Sequence, residues 1–402
     1  MQKVVKKSVA VGKVIAPPSK SYAHRSIIAA ALANGISTID NIELSQDIIA
    51  TINAVKALGT LIEVDDSRVV VKPKTYELND ELVFDCLESG STLRFMIPIA
   101  LLTGKRLIFQ GTKRLLSRGL SVYEEIFIKD EIKYQKTEAG IILEGTLKGG
   151  IYRVLGNISS QFITGLLFSL PLLKTDSIVE IIPPIESSGY INMTIDVLKK
   201  FKIEIEQCGN LLKIKGNQQY CSNNLIVEGD YSNAAFLDAF NYLGGDVVIN
   251  GLNSDSIQGD KIYQSYFPLL KSGCPTIDIA NCIDLGPILF TMATIFNGAH
   301  FIGTKRLVIK ESNRVLDMLA ELAKFGCTYQ VFDNEVIVEK KCLKSPDVVL
   351  ESHNDHRILM SLVVISSVFG GTINGSEAVN KSFPTFFEKI KQLGIEVEDG
   401  IN

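Results

Sequence analysis

Basic and hydroxyl side chains in this sequence collect at the mouths of apolar segments. Lys20, Ser21 and Arg25 open the run "SKSYAHRSIIAAALANG", and Gly90, Ser91 and Arg94 open "GSTLRFMIPIALLTG". Ser159, Ser160 and Gln161 precede "FITGLLFSLPLLK", and Asp355, His356 and Arg357 precede "ILMSLVVISSVFGG". If each run is a helix, these residues stand at its N-terminus, where first-turn N–H groups lack partners and the dipole is positive. Such an end seats anions. Small ligands bearing phosphate and carboxylate groups suit it. Further cations recur at the starts of neighbouring segments: Arg114 and Arg118 in "TKRLLSRGLS", Arg306, Lys310 and Arg314 in "KRLVIKESNR", and Lys381 in "AVNKSFP". Two acids, Asp284 and Glu311, stand in this basic company as acid–base catalysts would.

The elements that position these residues repeat. Six apolar, helix-length runs begin near Ser21, Ser91, Ser160, Ser232, Asp284 and Asp355, at steps of 70, 69, 72, 52 and 71 residues. Each marker is a residue able to cap a helix, and five runs close on Gly. All six lead into a short strand-like segment, such as "RLIFQG" or "GTING". An amphipathic helix follows in each unit; "ESNRVLDMLAELAKFG" places Val315, Met318, Leu319 and Leu322 on one face. Paired strands come next, as in "TLIEVDDSRVVVKP" and "CTYQVFDNEVIVEK". The fourth unit is short and is expected to lack the return strand.

A helix apolar all round must be buried on every side. Three such units around a shared interior bury three of them, so six units predict an α/β (α+β) chain of two similar domains. The boundary is expected near residue 228. With the polar helix ends of both domains facing inward, the cleft between them becomes an anion trap.

Composition narrows the function. Hydrophobic residues make up 46% and charged ones 21%, which is globular. No apolar run reaches the length of a membrane span, and "MQKVVKKSVAVGK" reads as an opening strand, not a signal peptide. The net charge of −4 gives no bulk attraction to nucleic acid or anionic lipid. Seven cysteines without CxxC pairing argue against a disulfide framework or a zinc site. A cytoplasmic enzyme acting on small molecules, with no nucleic-acid or membrane partner, is the expectation.

Seven segments in order, "SKSYAHR", "SGSTLR", "SSQFITGLL", "EGDYSNAAF", "IKESNR", "NDHR" and "KSFPTFFE", resemble the 5-enolpyruvylshikimate-3-phosphate (EPSP) synthases among the enolpyruvyl transferases. The resemblance covers essentially the whole chain. It implies two domains of three βαβαββ-type repeats, the inverse α/β barrel of that family, with the N-terminal strand paired into the second domain. The domains would then be 16–227 and 1–15 plus 228–402, with the active site between them, closing on ligand, in a monomer. It also implies transfer of the enolpyruvyl group of phosphoenolpyruvate to the 5-hydroxyl of shikimate 3-phosphate, with no metal or organic cofactor.

Carried onto matching positions, shikimate 3-phosphate would meet Lys20, Ser21, Arg25, Ser159, Ser160, Gln161 and Ser187, with Arg306 a further cation. Asp284 and Lys310 would address its ring hydroxyls, and Tyr190 would lie near the ring unless it is plain packing. Phosphoenolpyruvate would meet Lys20, Gly90, Arg118, Gln161, Arg314, Arg357 and Lys381. Glu311, aided by Lys20, would protonate the methylene, and Asp284 would take the hydroxyl proton.

Departures from the family pattern are Asn313 in place of Asp, which would loosen a carboxylate orienting Arg314, Phe95 and Gly119 in place of Pro, and His24 in place of Asn. His356 is either an orienting residue or a direct participant. The sister enzyme that uses a UDP-amino sugar would carry a reactive cysteine in the loop "TKRLLSRGL", which has none. A non-catalytic anion binder would be expected to lose Asp284 or Glu311. A nucleotide-dependent kinase would need a GxxxxGK loop, and none occurs.

Overall fold

Every apolar run forms a helix in the computed structural model, which describes residues 1–73, 77–138 and 140–400. The first seven helices are α1 (Lys20–Leu32), α2 (Gln46–Ala57), α3 (Gly90–Leu101), α4 (Lys113–Ser117), α5 (Ser121–Asp130), α6 (Ser160–Ser169) and α7 (Ser188–Lys200). Then follow α8 (Tyr231–Tyr242), α9 (Tyr263–Ser272), α10 (Gly286–Ile295), α11 (Leu316–Ala323), α12 (His356–Phe369) and α13 (Phe386–Gln392). The apolar runs are α1, α3, α6, α8, α10 and α12. Their buried residues face all directions around the axis, as in α10, where Gly286 through Thr294 are all buried.

The chain divides into two units, Lys20–Val227 and Met1–Ser19 with Glu228–Asn402. In the first, three four-stranded sheets share one order. Glu81–Asp85 runs parallel to Arg106–Gln110, which pairs antiparallel with Gly140–Glu144, edged by Lys133–Thr137. Gly150–Leu155, Ser177–Ile182, Leu211–Ile214 and Ile205–Cys208 repeat that order. In the third sheet the parallel edge strand, Leu225–Ile226, comes from the far end of the unit to pair with Ser37–Asp40. Sequence-distant pairing of this kind closes the unit on itself.

The second unit uses the N-terminus the same way. Gln2–Val5 lies antiparallel between Gly371–Asn374 and Val397–Asp399, and Val11–Ile15 runs parallel to Asp246–Asn250 in a two-stranded sheet. That short sheet is the abbreviated fourth repeat. Val5, Ala10 and Val14 join Phe236, Phe267 and Phe290 in one apolar core. The described strands form six separate sheets, and none of them closes into a barrel.

Helix starts differ from the expected markers by one or two residues. Ser89 accepts from Thr92 N at 3.1 Å, Ser159 from Gln161 N at 3.3 Å and Asp230 from Ser232 N at 2.9 Å. Ser91, Ser160 and Ser232 therefore lie inside their helices. Asp355 does cap α12, accepting from Arg357 N at 2.9 Å. Asp284 does not cap α10; it sits in the 3-10 turn Ile283–Leu285 just before it, and its carboxylate pairs with Lys310, Arg314 and Arg357.

Candidate active site

The polar residues of the Lys20–Val227 unit meet around the starts of its three buried helices. Lys20 opens α1, and its Nζ lies 2.6 Å from Asp47 Oδ2 at the start of α2. Arg25, further along α1, is buried. Its Nε donates to Thr194 Oγ1 at 2.8 Å, Nη1 to the Ser21 carbonyl at 2.8 Å and Nη2 to the Tyr190 carbonyl at 3.2 Å. Burial pushes Arg25 down to about 10, against the pull of Tyr190 and Tyr22, so it stays charged at neutral pH.

Gln161 ties two helix ends together. It accepts from Arg94 Nη1 at 2.6 Å and donates to Ser91 Oγ at 3.0 Å. The Arg118 guanidinium lies against Gly90: a methyl group added there would stand 2.9 Å from its Nη1. Ser160 and Ser187 are buried. Ser187 immediately precedes α7 with a left-handed φ of 56°.

In the other unit, Arg314 is the centre. Its guanidinium reaches Asp284 Oδ1 at 2.9 Å, Glu311 Oε2 at 2.7 Å and Asp355 Oδ2 at 2.7 Å. Asp284 also meets Lys310 Nζ at 3.2 Å and Arg357 Nη2 at 3.3 Å. Burial would raise Asp284, but Arg357, Lys310 and Arg314 outweigh it and hold the carboxyl well below its usual range. For Lys310 the balance falls the other way. Burial, with Arg314 and Arg306 nearby, overcomes the attraction of Asp284 and Glu311 and brings it down to about 8. Arg314 is held above its ordinary value, since Asp355, Glu311 and Asp284 together exceed its burial cost.

The ion pairs thus join five of the expected residues, Asp284, Lys310, Glu311, Arg314 and Arg357, with Asp355. Lys381 Nζ donates to the Asn354 carbonyl, beside Asp355. Arg306 is buried with Nη2 on the Ala280 carbonyl at 2.6 Å. Asn313 does not deprive Arg314 of a carboxylate: Asp355 orients the guanidinium, while Asn313 Oδ1 accepts from Leu316 N at 3.2 Å at the start of α11. Asp355, not His356, supplies the α12 cap. Cys282 is buried, and burial lifts its thiol well above the ordinary range, as in a packing residue. Sequence reasoning missed Asp47 and Thr194. Each partners a cation across more than twenty residues, and no local signal marks such a pairing.

The arrangement supplies three carboxylates within one guanidinium's reach, Asp284, Glu311 and Asp355, and cations enough to hold phosphate and carboxylate groups. Comparison with known proteins gives the same direction. The sequence profile of a family described as EPSP synthase (3-phosphoshikimate 1-carboxyvinyltransferase) matches residues 4–269 and 264–390. The chain belongs to the EPSP synthase family.

EPSP synthase relatives match over nearly their full length. A 3-phosphoshikimate 1-carboxyvinyltransferase of Clostridium acetobutylicum is 41% identical, with 96% of both chains covered. One from Clostridioides difficile is 38% identical at the same coverage. A solved EPSP synthase from Acinetobacter baumannii shares the fold with a TM-score of 0.81 over 100% of both chains, at 22% identity. No helix among the described residues is long and apolar enough to cross a membrane.

Proposed function

We propose that this chain transfers the enolpyruvyl group of phosphoenolpyruvate to the 5-hydroxyl of shikimate 3-phosphate and releases phosphate. It would do so as a cytoplasmic monomer in the shikimate route to aromatic amino acids. The observation that carries the reading is the shared hold of Arg314 on Asp284 and Glu311. The enol phosphate carbon becomes electrophilic only when its methylene is protonated, and the attacking hydroxyl must lose a proton. One acid and one base are needed, close together.

In this reading Glu311, aided by Lys20, gives its proton to the phosphoenolpyruvate methylene while O5 attacks the adjacent carbon and Asp284 takes the hydroxyl proton. The tetrahedral adduct then loses phosphate, which carries away the proton from Asp284, and the new methyl returns a proton to Glu311. Phosphoenolpyruvate is held by Lys20, Gly90, Arg118, Gln161, Arg314, Arg357 and Lys381. Shikimate 3-phosphate is held by Lys20, Ser21, Arg25, Ser159, Ser160, Gln161, Ser187, Tyr190, Asp284, Arg306 and Lys310. The reading requires both groups of residues to bear on one substrate pair.

Electrostatics give a reason for substrate to come first. Without ligand, Asp284 is a poor base because three cations stabilise its charge. Bound phosphoenolpyruvate competes for Arg357 and the ring hydroxyls of shikimate 3-phosphate compete for Lys310, and as those cations turn to the substrates the proton affinity of Asp284 rises. Asp284→Asn and Glu311→Gln each remove one of the two proton-transfer groups. Turnover is expected to fall about 10²- to 10⁴-fold in each, with the circular dichroism spectrum unchanged. Near-wild-type turnover in either variant removes that residue from the mechanism.

A further inference from the structure

His24 stands in α1 between Lys20 and Arg25, and neither substrate claims it. It is buried, and its Nδ1 lies 2.7 Å from Thr51 Oγ1 on α2. Thr51 Oγ1 lies 2.7 Å from Thr92 Oγ1 on α3. Thr92 Oγ1 donates to Ser89 Oγ at 2.8 Å, and Ser89 is the cap of α3. Four side chains from three segments therefore form one buried chain of hydrogen bonds.

Its direction is determined. Thr92 has one hydroxyl proton and gives it to Ser89, so it accepts from Thr51. Thr51 has then spent its proton and accepts from His24 Nδ1–H. The imidazole is held as the Nδ1–H tautomer, with Nε2 meeting no hydrogen-bond partner among the described residues. Burial, with Lys20 and Arg25 adding to it, keeps the ring neutral by lowering its pKa well below the usual value. A neutral ring avoids a third positive charge beside Lys20 and Arg25.

The chain ends where binding begins. Ser89 precedes Gly90, the glycine on which the Arg118 guanidinium rests. Ser91, the next residue, accepts from Gln161. Lys20 and His24 lie four residues apart on α1, and their partners Asp47 and Thr51 lie four apart on α2. The two pairs thus set the register of α1 against α2, and Thr51 passes that register to α3.

We propose that His24 is a positioning residue for phosphoenolpyruvate, acting through Thr51 and Thr92 to place Gly90 and the Arg118 guanidinium without touching substrate. The inference rests on the functional reading above. It separates the two substrates: the residues it governs are the phosphoenolpyruvate set at α3, not the Arg25 set for shikimate 3-phosphate. Thr92→Val keeps the shape of the side chain and removes both hydrogen bonds of its hydroxyl, whereas Thr92→Ser keeps them.

The test compares steady-state kinetics of the wild type, Thr92→Val, Thr92→Ser and Thr51→Val. Thr92→Val and Thr51→Val are expected to raise the KM for phosphoenolpyruvate about tenfold, the size of one lost net hydrogen bond. The KM for shikimate 3-phosphate and kcat should stay within about twofold, and Thr92→Ser should behave as wild type. Equal loss for both substrates, or no change in either, overturns the proposal. If one valine variant fails to fold, the other decides. A wild-type protein that releases no phosphate refutes the functional reading instead. In that case nitrogen-15 spectra of His24 still test the chain: a neutral Nδ1–H ring at pH 6 is expected, and a cationic ring contradicts it.

Discussion

Lys310 changes charge closer to neutral pH than an ordinary lysine. Burial brings it to about 8, from an ordinary lysine value of 10.5. Between these values the unfolded chain holds a proton that the folded chain has lost, so this group makes stability rise with pH through that window. Asp284 acts in the same direction at lower pH. Its depressed pKa contributes stability above the ordinary carboxylate range, which is lost as pH falls through its folded value. For activity the sign of Lys310 is unfavourable at high pH: kcat/KM for shikimate 3-phosphate should fall above about pH 8 as the ammonium is lost. Lys310→Met should lower that ratio at every pH and abolish the decline near 8. A decline that persists in the variant assigns it to another group. At this scale the cations and acids were legible in the sequence, but their partners were not. Asp47, Thr51 and Thr92 are ordinary helix residues whose role exists only after α1, α2 and α3 pack. Asn313, which looked like a lost carboxylate, costs Arg314 no partner because Asp355 arrives from another repeat.

Among the elements, the buried helices were readable because nothing but full burial explains a run such as "GPILFTMATI". Their exact starts were not. Stretches such as Ser89-Gly-Ser and Ser159-Ser offer several capping residues, and the one that caps depends on backbone conformation rather than on residue type. The helices pack closely enough that a single methyl decides their separation. At Gly165 on α6, an added Cβ would stand 2.4 Å from the Arg94 carbonyl oxygen and 2.3 Å from Tyr123 Oη. Tyr123 donates to that carbonyl at 2.6 Å, so the collision also strains a buried hydrogen bond. Gly165→Ala should therefore destabilise the protein by about 1–3 kcal/mol, the usual cost of overpacking. Urea unfolding would show it as a lower midpoint; an unchanged midpoint means that α3 and α6 can separate at little cost.

For the whole molecule, the roughly 70-residue periodicity of the apolar helices was legible in hydrophobicity alone. The strand exchanges were less so. That Leu225–Ile226 completes the sheet of Ser37–Asp40, and that Gln2–Val5 enters a sheet otherwise built from the C-terminal third, follows from long-range pairing that no local pattern announces. These exchanges tie each unit's ends together and leave the polar helix starts for chemistry. The choice of acceptor defines that chemistry. Its most direct measurement is phosphate released from phosphoenolpyruvate by the purified protein, with shikimate 3-phosphate or UDP-N-acetylglucosamine as acceptor. Release that depends on shikimate 3-phosphate, with none from the UDP-amino sugar, is the predicted result. Release with the UDP-amino sugar, or with neither, would contradict it.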